Sequence, residues 1–150
     1  MEIELANNDD LVKVRAGTMS TDEVRDCTIE GWVDTGAVRL VLPKVVADSL
    51  GLRTVRKTGV RFADNRRGTR DIVGDVWLKL LDREGVFTAI VEPNREDALI
   101  GAIVLEELDM LADPVAGTCH PRDPDMVISE IEEYSPDAET NASGTSANAD

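Results

Sequence analysis

The chain has 150 residues, of which 42% are apolar, 31% charged and only 3% aromatic, and its formal net charge is −14. These values predict one domain with an aliphatic core, and they argue against a nucleic-acid partner because binding phosphates requires positive charge. No apolar stretch approaches the roughly 20 residues that span a bilayer, and the N-terminus lacks a signal-peptide pattern. We therefore expect a cytoplasmic protein with no membrane partner.

The first half of the chain is predicted to form strands and then a short helix. Alternating or β-branched residues predict strands in MEIEL, LVKVRA, TIEGWVD and VRLVL. Residues 7–10 provide turn residues between the first two of these strands. The apolar spacing of PKVVADSLGL is helical, with Pro43 suited to the first turn and Gly51 to the C-terminal cap.

The second half is predicted to contain a hairpin, a further strand and a second helix. GVRFA and DIVGDVWLKLL flank the polar sequence DNRRGT, which is typical of a hairpin tip. GVFTAIVE has the composition of a strand, and GAIVLEELDML has helical spacing that gives way to a short strand near Leu111. About seven strands and two short helices indicate a mostly-β domain.

The composition changes near residue 120, which predicts a domain at 1–119 and an acidic tail at 120–150. The end of the tail, from about residue 137, is predicted to be disordered. Residues 126–134, MVISEIEEY, are the exception, and we expect them to dock as a strand or short helix. Cys27 and Cys119 have no metal-binding or redox spacing, so free thiols are expected. His120, the only histidine, is expected to be structural or exposed.

The sequence GWVDTGAVRLVLP places Asp34, Thr35 and Gly36 between two apolar strands. Asp-Thr-Gly alone suits many surface turns, because Asp accepts backbone hydrogen bonds and Gly permits positive φ. Here a strand and a helix follow the turn. Further along, ALIGAIVLEELDML gives two aliphatic residues and Gly101, followed by a helical pattern.

These motifs, in this order and separation, resemble the retroviral-type aspartic proteases (retropepsin-like, clan AA), and most of all their single-domain prokaryotic relatives. The resemblance covers roughly residues 1–114 and leaves the tail unmatched. It implies a small closed acid-protease barrel with a flap hairpin and one or two short helices. It also implies an aspartic endopeptidase that hydrolyses peptide bonds without a metal or organic cofactor.

The resemblance implies that Asp34, Thr35 and Gly36 are the catalytic residues. In the family, two such aspartates share one proton and activate a water molecule, because neighbouring like charges cannot both ionise. Thr35 is expected to bond across the axis and Gly36 to leave room for the substrate. The chain contains one such motif, so the resemblance implies a homodimer with its site on the twofold axis.

The resemblance assigns further residues to substrate binding and to support of the site. Residues 61–76 are expected to form a flap that closes over a peptide or protein substrate, and residues 108–112 an interface strand. The expected substrate-binding residues are Ala37, Ala63, Asp64, Asn65 and Ile72. The residues expected to support the catalytic loop from beneath are Leu99, Ile100 and Gly101.

The chain departs from the family at Val38, at Ala102 and at the flap tip, where residues 65–68 are not Gly-rich, and other functions remain open. Many relatives carry polar residues where this chain has Val38 and Ala102. A dimeric scaffold or peptide-binding module with the same fold and little catalytic activity is therefore an alternative. A third reading is a regulator whose acidic tail binds a basic partner.

The charge distribution suggests a role for the tail. Residues 53–70 contain seven basic residues and one acidic residue, whereas residues 121–140 contain seven acidic residues and one basic residue. This complementarity leads to the hypothesis that the tail lies over the flap and limits access to the cleft. The alternative is a disordered tail that only increases solubility. Surface ion pairs contribute about 0–1 kcal/mol each, so such an attraction would be weak and sensitive to salt.

Overall fold

A computed structural model describes residues 1–132. Within this range the chain forms nine β-strands, three α-helices and one 3-10 helix, Thr21–Glu23. The strands are β1 (Glu2–Asn7), β2 (Asp26–Val33), β3 (Leu40–Pro43), β4 (Thr54–Arg61), β5 (Arg67–Leu80), β6 (Arg83–Glu92), β7 (Ala98–Ile100), β8 (Met110–Asp113) and β9 (Thr118–Pro121). The helices are α1 (Asn8–Arg15), α2 (Lys44–Ser49) and α3 (Ala102–Glu107). None of these helices is long and apolar enough to cross a membrane.

Six strands close into a small barrel, which confirms the predicted mostly-β fold class. The hydrogen-bonded order is β1-β2-β7-β3-β6-β5, and β1 also pairs with β5, so the sheet closes on itself. β4 is added outside this ring through its antiparallel pairing with β5. The β4–β5 hairpin therefore projects from the barrel, as expected for the predicted flap.

The barrel interior is filled by aliphatic side chains, in agreement with the low aromatic content. The buried cluster takes alternate residues along several strands, such as Leu40 and Leu42 on β3 and Ala89 and Val91 on β6. Alternation sends the residues between them to the outer face of the sheet. The outer face thus remains available for a binding site.

The segment LVKVRA is helical, so the predicted second strand is wrong. Asn7 is the N-cap of α1, and its side chain accepts a hydrogen bond from the Asp10 backbone N–H. The polar residues that predicted a turn are instead a capping sequence that places acidic side chains in the first helical turn. The valines that suggested a strand lie within α1.

The other two helices are close to their predicted positions. α2 ends before Gly51, which has a positive φ of 63°, as the predicted cap requires. α3 gives way to β8 after Asp109, which also has a positive φ. The predicted change from helix to short strand is confirmed.

β8 and β9 form a separate two-stranded sheet that the sequence did not indicate. β9 crosses the predicted boundary between residues 119 and 120. Beyond it, Asp123 and Met126 are held by the buried guanidinium of Arg83, which donates to their carbonyls and to those of Leu108 and Asp109. The Asp109 carboxylate accepts hydrogen bonds from Arg122 and from the Ile128 backbone N–H.

The described part of the tail therefore docks, but as an irregular segment rather than a strand or helix. Its hydrogen bonds go to Arg83, Asp109 and Arg122. Arg83 follows the end of β5 that is remote from the flap. Up to residue 132 the tail therefore contacts the chain away from the flap, whereas the hypothesis placed the tail over the cleft. The remainder of MVISEIEEY and the predicted disordered end lie outside the described residues.

Candidate active site

Asp34 lies on an exposed loop immediately after β2. Its backbone N–H donates to the Ile100 carbonyl (3.1 Å), and its carbonyl accepts from the Ala37 N–H (3.1 Å). The side-chain Oδ1 accepts a hydrogen bond from the Gly36 N–H at 2.9 Å. Within residues 1–132 the other carboxylate oxygen, Oδ2, has no hydrogen-bond partner. The turn therefore orients the carboxylate while leaving one oxygen available to a ligand.

Gly101 supports this loop from beneath because its lack of a side chain allows close packing. A Cβ at this position would lie 2.4 Å from the Arg39 carbonyl oxygen, so no larger residue fits. The next two residues bind the loop directly: the Ala102 N–H donates to Ala37 and the Ile103 N–H to Val38, both at 2.9 Å. The beginning of α3 thus fixes the second half of the Asp34 loop, residues 37–38.

Leu99 and Ile100 connect this support to the barrel. β7 pairs in parallel with β2, with Val33 opposite Ile100 and Trp32 opposite Leu99. Ile100 is part of the buried core, whereas Leu99 is half-buried on the outer face. The structure therefore brings Asp34, Ile100 and Gly101 together, as the sequence predicted, and places Leu99 beside them.

An apolar row crosses the outer face of the barrel on four adjacent strands. Its members are Leu99 on β7, Val41 on β3, Ile90 on β6 and Ile72 on β5, which are opposite one another in register. Each lies between residues whose side chains enter the barrel core, except that Ile72 has a core residue on one side only. This row, Leu99–Val41–Ile90–Ile72, forms an apolar floor that begins next to the Asp34 loop.

The flap hairpin has two different faces. Thr58, Val60 and Phe62 on β4 and its turn are half-buried, whereas the residues between them are exposed. Their cross-strand partners include Gly68 and Arg70, and the same face of β5 continues to Ile72. The half-buried face is therefore the underside of the flap, and it joins the apolar row at Ile72.

The predicted substrate-binding residues are found in three different environments. Ala37 is half-buried in the Asp34 loop, and Ala63, Asp64 and Asn65 are exposed at the flap tip, where Asn65 has a φ of 67°. Ile72 has only 1% of its surface exposed, so in this structure it is closed to a ligand. Access to Ile72 would require the flap to move.

Two arginines stiffen the flap tip. The guanidinium carbons of Arg66 and Arg70 lie 5.3 Å and 5.0 Å from the centroid of the Phe62 ring, a geometry typical of cation–π contacts. Arg70 also donates to Glu92 on β6 at 2.8 Å, and this ion pair is largely buried. The pair ties the underside of the flap to the barrel.

Exposed apolar side chains surround the Asp34 loop. Trp32 has 47% of its surface exposed and Val38 63%. Ile103 on α3 and Val115 at the tip of the β8–β9 hairpin are also exposed. Gly117 of that hairpin packs on the Trp32 ring and accepts a hydrogen bond from Val33. The loop is therefore surrounded by a surface suited to contact with another protein.

Other reactive side chains in the described residues form no second site. Burial raises the pKa of the Cys119 thiol to about 11, and burial together with Asp26 raises that of Cys27. Both are free thiols, as predicted, and His120 is exposed on β9. Residues 1–132 contain no group of three or more His, Cys, Asp or Glu side chains placed to hold a metal ion.

No protein-family model matches the chain, and no curated protein matches it. Among solved structures, the solution structure of Simian Foamy Virus (mac) protease is similar, with a TM-score of 0.43 and 13% sequence identity. The similarity covers 52% of this chain and 80% of the viral chain.

Proposed function

We propose that the protein is an aspartic endopeptidase whose site is formed by Asp34 from each of two identical subunits. The observation that carries this proposal is the Asp34 carboxylate itself. It is exposed and oriented by the Gly36 N–H, and the loop that holds it is packed on Gly101. An ordinary surface turn would not require Gly101 to lie so close to the backbone of Arg39.

Peptide hydrolysis at Asp34 requires a second carboxylate a short distance from the first. Such a pair binds a single proton, because two negative charges a few ångströms apart repel one another. The ionised aspartate removes a proton from water, and the water oxygen attacks the scissile carbonyl carbon. The protonated aspartate donates a hydrogen bond to the developing oxyanion. The tetrahedral intermediate then collapses with cleavage of the C–N bond, and the proton taken from water passes to the leaving amine nitrogen. Thr35 would bond across the axis and hold the two loops in register, and Gly36 would leave room for the substrate backbone.

A homodimer follows from this chemistry, because the chain contains a single Asp-Thr-Gly sequence. The exposed apolar residues around the loop, including Trp32 and Val38, support a contact on this face. A twofold axis beside Asp34 would bring the two copies of this surface together. We propose that the β8–β9 hairpin, which contains the predicted interface strand, contributes to the same contact.

The substrate would be an extended peptide segment of a protein. The apolar row provides a floor for apolar side chains next to the scissile bond, and the underside of the flap would cover them. Opening would separate the flap from the barrel at the Arg70–Glu92 ion pair. Closure over the peptide would then exclude water other than the nucleophile.

The test is cleavage of a diverse peptide mixture by wild-type protein and by Asp34→Asn, followed by mass spectrometry. We expect Asp34→Asn to lose at least about 10³-fold in rate while remaining folded and dimeric in analytical ultracentrifugation. Asp82→Asn, which changes an exposed aspartate outside the site, is the matched control and should retain activity. Wild-type activity should follow a bell-shaped pH profile with an acidic optimum.

Subunit mixing tests the shared site directly. Excess Asp34→Asn added to wild-type protein should abolish activity as mixed dimers form, whereas excess Asp82→Asn should not. A strictly monomeric protein that cleaves peptides would contradict the shared site. A dimer that never cleaves any peptide would favour the alternative, a peptide-binding module with the same fold.

A further inference from the structure

Arg39 lies at one edge of the apolar row, on the same outer face of the sheet. It precedes Leu40, whose side chain enters the barrel core, so it shares the orientation of Val41. Its guanidinium Nη1 donates to Thr88 Oγ1 on β6 at 3.3 Å, and Thr88 is two residues before Ile90 of the row. The Arg39 backbone packs against Gly101, next to Ile100, which binds Asp34. Arg39 is therefore close to the candidate catalytic loop.

The charge of Arg39 is not neutralised by the described residues. Its side chain is half-buried, and no carboxylate of residues 1–132 lies within the 4.0 Å of an ion pair. Most of its five N–H donors are also without a protein acceptor there. A partly desolvated guanidinium without a counter-charge is unfavourable unless a ligand supplies one.

At the opposite edge of the apolar row, an arginine is paired with a carboxylate. Arg70 occupies the corresponding position on the other side of Ile72 and Ile90, and Glu92 neutralises it at 2.8 Å. The fold thus provides a carboxylate at one edge of the row and none at the other. The net charge of −14 makes an uncompensated cation more notable, since carboxylates are abundant in the chain.

We propose that Arg39 determines substrate specificity by binding a Glu or Asp side chain of the peptide. This inference rests on the proposed peptidase function and names its substrate class. The preferred peptides have apolar residues at the scissile bond and an acidic residue a short distance from it. The acidic side chain binds the guanidinium with charge-assisted hydrogen bonds, and Thr88 helps to orient Arg39.

The test uses a series of fluorogenic peptides that are identical except for Glu, Gln or Lys scanned through the positions around an apolar scissile bond. At one position, wild-type protein should prefer Glu to Gln by about 10-fold or more in kcat/KM. Arg39→Glu should reverse the preference towards Lys, and Arg39→Lys should keep a weaker preference for Glu. Arg15→Glu makes the same change in net charge on α1, away from the site, and should leave the preference unchanged.

Binding of the same peptides to the Asp34→Asn variant tests the role of Arg39 separately from the peptidase proposal. Dissociation constants of the Glu, Gln and Lys peptides should show the same order without any cleavage. Equal affinities for the three peptides, or an order that Arg39→Glu does not alter, would overturn the role of Arg39. Absence of cleavage by wild-type protein, with the order of affinities preserved, would overturn the peptidase function alone.

Discussion

Asp10 and Asp34 both follow a strand of the barrel, but their carboxylates have opposite environments. Asp10 has no exposed surface, and Arg25 binds both of its oxygens, with Nε to Oδ2 at 2.9 Å and Nη2 to Oδ1 at 3.0 Å. The Arg25 backbone N–H adds a third hydrogen bond. Asp34 is exposed and receives a single side-chain hydrogen bond, from Gly36. The structure fixes the backbone of the Asp34 loop more firmly than it fixes the Asp34 carboxylate.

This difference distinguishes a carboxylate that stabilises the fold from the one that we propose to be catalytic. The hydrogen bonds from Arg25 lower the pKa of Asp10 to about 2, so its charge is part of the folded state at neutral pH. The interactions of Asp34 are incomplete within the described residues, and the proposed partners are a second Asp34, water and substrate. Loss of the Asp10 interactions should therefore lower stability, whereas loss of the Asp34 carboxylate itself should lower activity.

The largest effect on stability is expected from Gly101→Ala, which changes the support of the Asp34 loop. Gly101 has a φ of −86°, which any residue can adopt, so the constraint is the space beside Arg39. We expect the melting temperature to fall by more than about 15 °C, because backbone atoms have to move. Gly59→Ala is the control, since nothing lies within 4 Å of a Cβ there. Equal melting temperatures for the two variants would contradict this role of Gly101.

A smaller but substantial effect is expected from Arg25→Ala. It leaves the buried Asp10 carboxylate without its counter-charge, which should lower the melting temperature by about 10 °C or more. Asp34→Ala should change it by less than about 2 °C, because only one exposed hydrogen bond is lost. Calorimetry of both variants tests the comparison. The proposed difference between Asp10 and Asp34 is wrong if Asp34→Ala lowers the melting temperature as much as Arg25→Ala does.

The smallest expected effect is the pH dependence of the contribution that Asp10 makes to stability. The pKa of Asp10 is lowered from 3.8 to about 2 on folding, so its stabilising contribution is complete above pH 4 and is lost as the pH falls towards 2. The difference in melting temperature between wild type and Asp10→Asn should therefore be constant from pH 7 to 5 and shrink between pH 4 and 2. A difference that is independent of pH would show that the charge of Asp10 does not contribute.

Most of the strands and the Asp34 loop could be predicted because their signals are local, whereas the closed barrel was expected only from the family resemblance. Alternation identified the strands, and the two glycine-containing motifs identified the segments that meet at Asp34. α1 was mistaken for a strand because Val12 and Val14 favour β structure, whereas the cap formed by Asn7 and Asp10 decided the outcome.

Other features could not be predicted because they depend on contacts between distant parts of the chain. Arg83 looks like a surface residue in the sequence, and it is buried only because carbonyls 25 to 43 residues away converge on it. Arg39 was overlooked for a similar reason. An arginine after Val38 has no distinctive sequence signal until the register places it beside the apolar row.

The Arg83 contacts have a practical consequence for any shortened form of the protein. Cutting the chain after His120 would remove the Asp123 and Met126 carbonyls and leave a guanidinium below the surface with half of its acceptors gone. Such a fragment should unfold more readily for reasons unrelated to catalysis. A useful trimming point therefore lies beyond Glu130, so that loss of activity is not mistaken for loss of a regulatory tail.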